Sequence, residues 1–465
     1  MSASNAPRKS SRPIDSIALP EFARPKVAFR TRVWRLLVVF SIFAGCLFAS
    51  INWWGNATLE WLTQRALAAR QPERALAWTH FAAVITKPSG NLLLLRARAQ
   101  RQLGQLGEVK TSLDRAAKYG APEKKIRRES DLAMAQSGQL NAVQAKLPQL
   151  LIDADDDSGE VCEAFVIGYL RTQRFGEALQ LLKAWIADWP KDPRPLLLRS
   201  RVWMVELKLK RAEEDLQQAH ELAPRQSEIA YELAFVLQRQ NRWRDAAKLY
   251  ESCLNQSKWS AKAKLGLGLC YKALGNAALS EKFLKAAAQE APQNAEALRE
   301  YGRDLEENGR YAEAAEFFRR AVDLLPYDDE LHYLLAQTLQ LQGDHKGAAP
   351  HFAYVTEARA AFRDLALIQD RLRKEPRNID LLSQAGEILL RYSDPEEGVV
   401  RLMAVLDQQP TNRRARQLLA DHYAKRAATH PAFASLEEEH RRWLPPSTKR
   451  DDDKSSDSSP PTETP

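Results

Sequence analysis

Cysteine is scarce in this chain of 465 residues: there are four, with no CxxC pair among them. That excludes a disulfide framework and the usual zinc-ribbon and zinc-finger sites. Cys46 lies in an apolar run, while Cys162, Cys253 and Cys270 read most simply as small apolar residues on helix faces. A Cys253–Cys270 bridge between neighbouring helices would require an oxidising compartment. Catalytic constellations are missing too. The eight histidines include no HExxH, and His345 and His351 are six apart. No glycine loop of the phosphate-cradling type and no nucleophile elbow occur, so neither enzyme activity nor a cofactor is expected. The acidic run from Asp153 to Asp157 resembles the start of a calcium loop, but its twelfth position is Ala164, where a bidentate acid is needed.

A basic surface is also lacking over most of the length. The net charge is +8, yet residues 1–35 hold eight basic side chains against two acids and so carry +6 of it. A nucleic-acid binder shows its basic stripe on the folded part, so that class is set aside. At 45% apolar and 28% charged residues, the composition is that of an ordered protein.

One long uncharged stretch stands out, from Leu36 to Leu59, with Trp34 at one end and Trp53 and Trp54 at the other. Its length suits a hydrocarbon layer of about 30 Å, and the basic flank precedes it. The expectation is a single-pass membrane protein with a cytoplasmic N-terminus and the rest of the chain on the far side. A bacterial inner-membrane protein with periplasmic repeats fits best. A cleaved signal peptide would have a shorter apolar region. Phe43-Ala44-Gly45-Cys46 resembles a lipoprotein cleavage box, but the apolar run continues past Cys46. A buried helix of a soluble domain is the third alternative.

Beyond this stretch the sequence repeats. Small residues fall at Ala178, Ala212, Ala246, Ser280, Ala314 and Ala348, each 34 after the last. Four residues on, Leu182, Leu216, Tyr250, Leu284, Phe318 and Phe352 keep the same step, and three further on come Trp185, Ala219, Cys253, Ala287, Ala321 and Val355. Ala234, Gly268, Gly302 and Ala336 share another register. Glycines at 275, 309 and 343 mark a mid-unit turn, and Pro190, Pro224, Pro292 and Pro326 close units. Each unit reads as two antiparallel helices. Small residues let them approach, bulky ones four on fill the groove, and proline stops the second helix.

These positions resemble the tetratricopeptide repeat, whose period is 34 and whose pattern ends in A-x3-F and a closing proline. The early tryptophan of the family pattern is missing, with Leu196 and Lys264 in its place, and Lys258 and Ala360 replace two closing prolines. The resemblance implies an all-α fold, a right-handed superhelical solenoid of antiparallel helix pairs. The expected division is a flexible basic tail over 1–33, a transmembrane anchor over 34–56, degenerate repeats over 57–158 and a regular array over 159–360. An extra or lengthened helix and a C-terminal unit follow over 361–430, then a capping segment and disordered tail over 431–465.

By that resemblance the first helix of each unit lines a concave face that binds other proteins. The inward positions are Arg201, Tyr231, Phe235, Lys262, Arg299, Arg303, Tyr333 and Gln337. Arg299 and Arg303 stand four apart on one helical face, suited to an acidic or carboxylate-bearing segment. The bland alternative makes these solvated residues, with Tyr231 and Phe235 in the core. A scaffold for partner proteins is the expected function. A structural element that assembles into homo-oligomers is the alternative.

Overall fold

The computed structural model describes residues 56–85, 89–154 and 157–444. Every regular element among them is helical: α1 (56–68), α2 (Pro72–Ile85), α3 (Gly90–Gln102), α4 (Leu106–Lys118), α5 (Glu123–Ser137), α6 (Leu140–Val143), α7 (Leu147–Ile152), α8 (Ser158–Arg171), α9 (Phe175–Asp188), α10 (Arg194–Val205), α11 (Leu209–Leu222) and α12 (Ser227–Arg239). The series continues with α13 (Trp243–Cys253), α14 (Ser257–Ala273), α15 (Ala277–Glu290), α16 (Ala295–Glu307), α17 (Tyr311–Leu324), α18 (Asp329–Gln342), α19 (His345–Lys374), α20 (Ile379–Tyr392), α21 (Pro395–Gln408), α22 (Arg413–Ala427) and α23 (Ala434–Arg441). The chain divides into two compact units, one ending at Trp189 and the other beginning at Pro190.

Local sequence explains the helix boundaries. Asn294 accepts from the amides of Glu296 and Ala297 to cap α16, and Asp328 accepts from that of Leu331 to cap α18. Asn378 and Asn412 cap α20 and α22 in the same way. At the turn inside each hairpin from α1/α2 to α18/α19 one residue is left-handed: Arg70, Gly104, Gly138, Gln173, Leu207, Asn241, Gly275, Gly309 and Gly343. Successive members are 34 apart, except for 35 between Gly138 and Gln173. The next amide reaches back to close the first helix, as Asn276 does to the Tyr271 carbonyl at 2.9 Å and Arg310 to that of Leu305 at 2.9 Å.

In the second unit α10/α11, α12/α13, α14/α15, α16/α17 and α18/α19 are tightly packed hairpins. The small first-helix positions meet the bulky second-helix ones. A Cβ at Gly268 would lie 2.5 Å from Leu284 Cδ2, and one at Gly302 would lie 2.7 Å from Phe318 Cε1. Both glycines therefore mark close helix contact. Leu216, Tyr250, Leu284 and Phe318 are all buried, each contributing roughly 1.5–3 kcal/mol of burial free energy. Cys162, Cys253 and Cys270 are buried, Cys253 and Cys270 are not bridged to each other, and burial pushes the Cys270 thiol up to about 12.

The long helix α19 belongs to two cores. Its first half puts Ala348 and Phe352 against the cluster of α16–α18, and its second half adds Leu365, Ile368 and Leu372 to the cluster of α20–α22. In the first unit the second helix of one hairpin is broken into α6, a 3₁₀ turn over Gln144–Lys146, and α7. Pro148 near the start of α7 lacks the amide that a continuous helix would need.

The expected single-pass topology is corrected. Among the described residues no helix is long and apolar enough to cross a membrane. The longest, α19, has the length at 30 residues but carries Arg359, Arg363, Asp364 and Asp370 from its middle onward. The stretch 34–56 on which the expectation rested lies outside the described residues apart from Asn56, as does the basic tail 1–33.

Candidate protein-binding face

In the second unit the expected face residues all sit on first helices: Arg201 on α10, Tyr231 and Phe235 on α12, Lys262 on α14, Arg299 and Arg303 on α16, Tyr333 and Gln337 on α18. Lys262 and Tyr333 are exposed, and the other six are half-buried. Several of these side chains are engaged by the next first helix. Arg201 Nη2 donates to Glu228 at 2.9 Å and to Glu232 at 3.0 Å, both on α12. Arg303 is paired with Glu330 of α18, which also lies 3.9 Å from Arg299. Arg299 and Arg303 share Glu300 as well, at 3.1 and 3.6 Å. Lys272 of α14 reaches Glu307 of α16 at 2.7 Å.

Between α12 and α14 the link is aromatic. Tyr231 is tilted against Trp259 with ring centroids 5.0 Å apart, and against Tyr250 of α13 at 5.5 Å. Lys262 lies 5.2 Å over the Trp259 ring. Burial, helped by Glu232, pushes the Tyr231 phenol up to about 12, so it serves here as a neutral packing group. Tyr333 is exposed, with Arg359 of α19 over its ring at 5.7 Å; that arginine is anchored on Asp329 at 2.8 Å. Tyr231, Trp259 and Lys262 are thus brought together, and so are Arg299 and Arg303, while Arg201 stands with its own acids.

The sequence reading missed the acids. Glu228 follows Arg201 by 27 residues and Glu232 follows it by 31; Glu330 follows Arg303 by 27. An arginine with a glutamate 27 or 31 residues on is the signal that neighbouring first helices create. Trp259 was also missed, because it sits three residues before the position taken as inward-facing.

The first unit presents a different first-helix interior. Arg101, 2% exposed, pairs with Glu129 of α5 and, at 3.0 Å, with Glu160 of α8. Arg98 adds bonds to Glu160 and Asp157, each at 2.9 Å, and Gln102 donates to Glu160 at 2.7 Å. Burial alone would raise the Glu160 carboxyl, but Arg101 and Arg98 outweigh it and hold it at about 2. This network is matched internally and is a structural core.

Family models described as tetratricopeptide repeat match residues 238–300 and 295–338. The chain carries tetratricopeptide repeats. The matched repeats span α13 to most of α18, and so include Lys262, Arg299, Arg303, Tyr333 and Gln337. A human relative, named protein O-mannosyl-transferase TMTC1, is 30% identical over 138 residues; the match takes in 29% of this chain and 15% of that protein's length. Among solved structures, PilW, titled a type IV pilus biogenesis factor, is 20% identical over 42% of this chain and 91% of its own, with a TM-score of 0.40. YrrB, titled a tetratricopeptide protein with an unusual peptide-binding site, is 18% identical over 38% and 91%, with a TM-score of 0.31.

Proposed function

We propose that the chain is a protein-interaction scaffold whose partner lies along the first helices of the tetratricopeptide hairpins α10–α18. The partner contributes a carboxylate-bearing segment that docks on α16 and α18. One observation supports this most: Arg299 and Arg303 converge on Glu330, whose side chain is 52% exposed. A half-exposed intramolecular ion pair contributes little to stability, roughly 0–1 kcal/mol, so a partner carboxylate replaces Glu330 at small cost. A bidentate arginine–carboxylate contact supplies direction as well as attraction. Tyr333, exposed beside Arg359, offers an aromatic surface one turn along the same face.

Arg299→Ala/Arg303→Ala tests the reading. Partners are captured on the full chain from native extracts and identified by mass spectrometry, and helicity is followed by circular dichroism. The variant is expected to stay folded and to lose the captured partner by at least about tenfold. An unchanged partner set in the folded variant places the docking surface elsewhere.

A further inference from the structure

His332 of α18 is 9% exposed and packs on α19. Its Nδ1 lies 2.9 Å from His351 Nδ1, its Nε2 lies 3.2 Å from the Pro326 carbonyl oxygen, and its ring stacks on Tyr354 at 4.0 Å. A carbonyl oxygen can only accept, so His332 carries a proton on Nε2 and, when neutral, presents a lone pair at Nδ1. His351 must then donate its Nδ1–H into that lone pair. A first added proton can sit on His351 Nε2 and leave the contact intact. A second has only His332 Nδ1 to go to, and that atom already faces an N–H.

The surroundings supply little to hold two imidazolium charges side by side. Asp328 caps α18 through the Leu331 amide, and Asp329 is bound by Arg359. Arg319 of α17 adds a further positive charge near His351. Tyr327, Tyr354 and Tyr392 bring phenols, and the Tyr392 hydroxyl donates to Glu357. We propose that the His332–His351 contact is a proton-operated latch that keeps the α18/α19 hairpin closed at neutral pH and releases it when both rings are protonated.

Burial lowers both histidines, and the charges of His332 and Arg319 lower His351 further. With folded values below the ordinary one of about 6.5, the unfolded chain takes up protons first as the pH falls. The contribution to stability is complete above about pH 6.5 and is lost progressively below it. The hairpin opens by this route whatever binds Tyr333.

Hydrogen exchange of the full chain at pH 7.5 and pH 5.0, corrected for intrinsic rates, tests the latch. Protection across 329–358 is expected to fall about tenfold or more, against little change across 295–324, the α16/α17 hairpin. His351→Asn keeps an N–H donor near the Nδ1 position and cannot titrate, so the selective fall is expected to vanish. Equal loss in both hairpins, or a selective loss that survives in His351→Asn, overturns the proposal. Should that variant fail to fold, the comparison of the two hairpins in the parent still decides.

Discussion

Leu207 occupies the turn position that glycine holds at 275, 309 and 343, with φ at +57° and the residue 71% exposed. A β-carbon in that region costs roughly 1–2 kcal/mol, and an exposed leucine returns little packing. Leu207→Gly is expected to raise the thermal midpoint, by on the order of 1 kcal/mol of stability after the added chain entropy of glycine. A lowered midpoint would show that the leucine makes contacts of its own. Arg101 is the opposite case. Arg101→Met leaves Glu129 and Glu160 buried without their main cation, and the expected loss is about 3–5 kcal/mol by urea unfolding. Acid acts on the same network. Glu160, at about 2 in the folded chain, contributes on the order of 3 kcal/mol that is complete above its ordinary value and lost as the pH falls through about 2. Sequence spacing made Gly302 and Phe318 legible as facing positions, since helix periodicity dictates both. It could not disclose Arg101, whose partners lie 28 and 59 residues away.

Hairpins are the working elements, and α19 is where their step changes. By joining the cluster of α16–α18 to that of α20–α22, one continuous helix transmits stability between two otherwise separate cores. Ala361→Pro removes an amide from its middle and clashes with the carbonyl four residues back, at about 3 kcal/mol or more. The expected result is a lower midpoint and unfolding that separates into two transitions in denaturant. A single unshifted transition would mean that α19 does not couple the cores. Pro376 falls 16 residues after Ala360 instead of 34, so the change of step is legible in the sequence. The pairing of Arg299 and Arg303 with Glu330 had not been visible, because it depends on two first helices lying side by side.

At the scale of the molecule, its two units differ in what fills their first-helix interiors. The first has the buried ion network around Arg101, and the second has the aromatic and ion-paired steps from Arg201 to Tyr333. Family models match residues 238–338, while left-handed turn residues recur from Arg70 to Gly343. The turn geometry persists where glycine has been replaced, which is why sequence patterns fade before the hairpins do. The expected membrane span did not carry over to any described helix, since amphipathic helices of hairpins keep a charged face. The central claim is that partners meet the first helices. A photo-crosslinking residue placed at Tyr333, and separately at the exposed Lys282 of α15, tests it most directly in the full chain with native extract. Adducts to another protein from position 333 and none from 282 are expected; adducts from 282 alone, or equally from both, would contradict the claim.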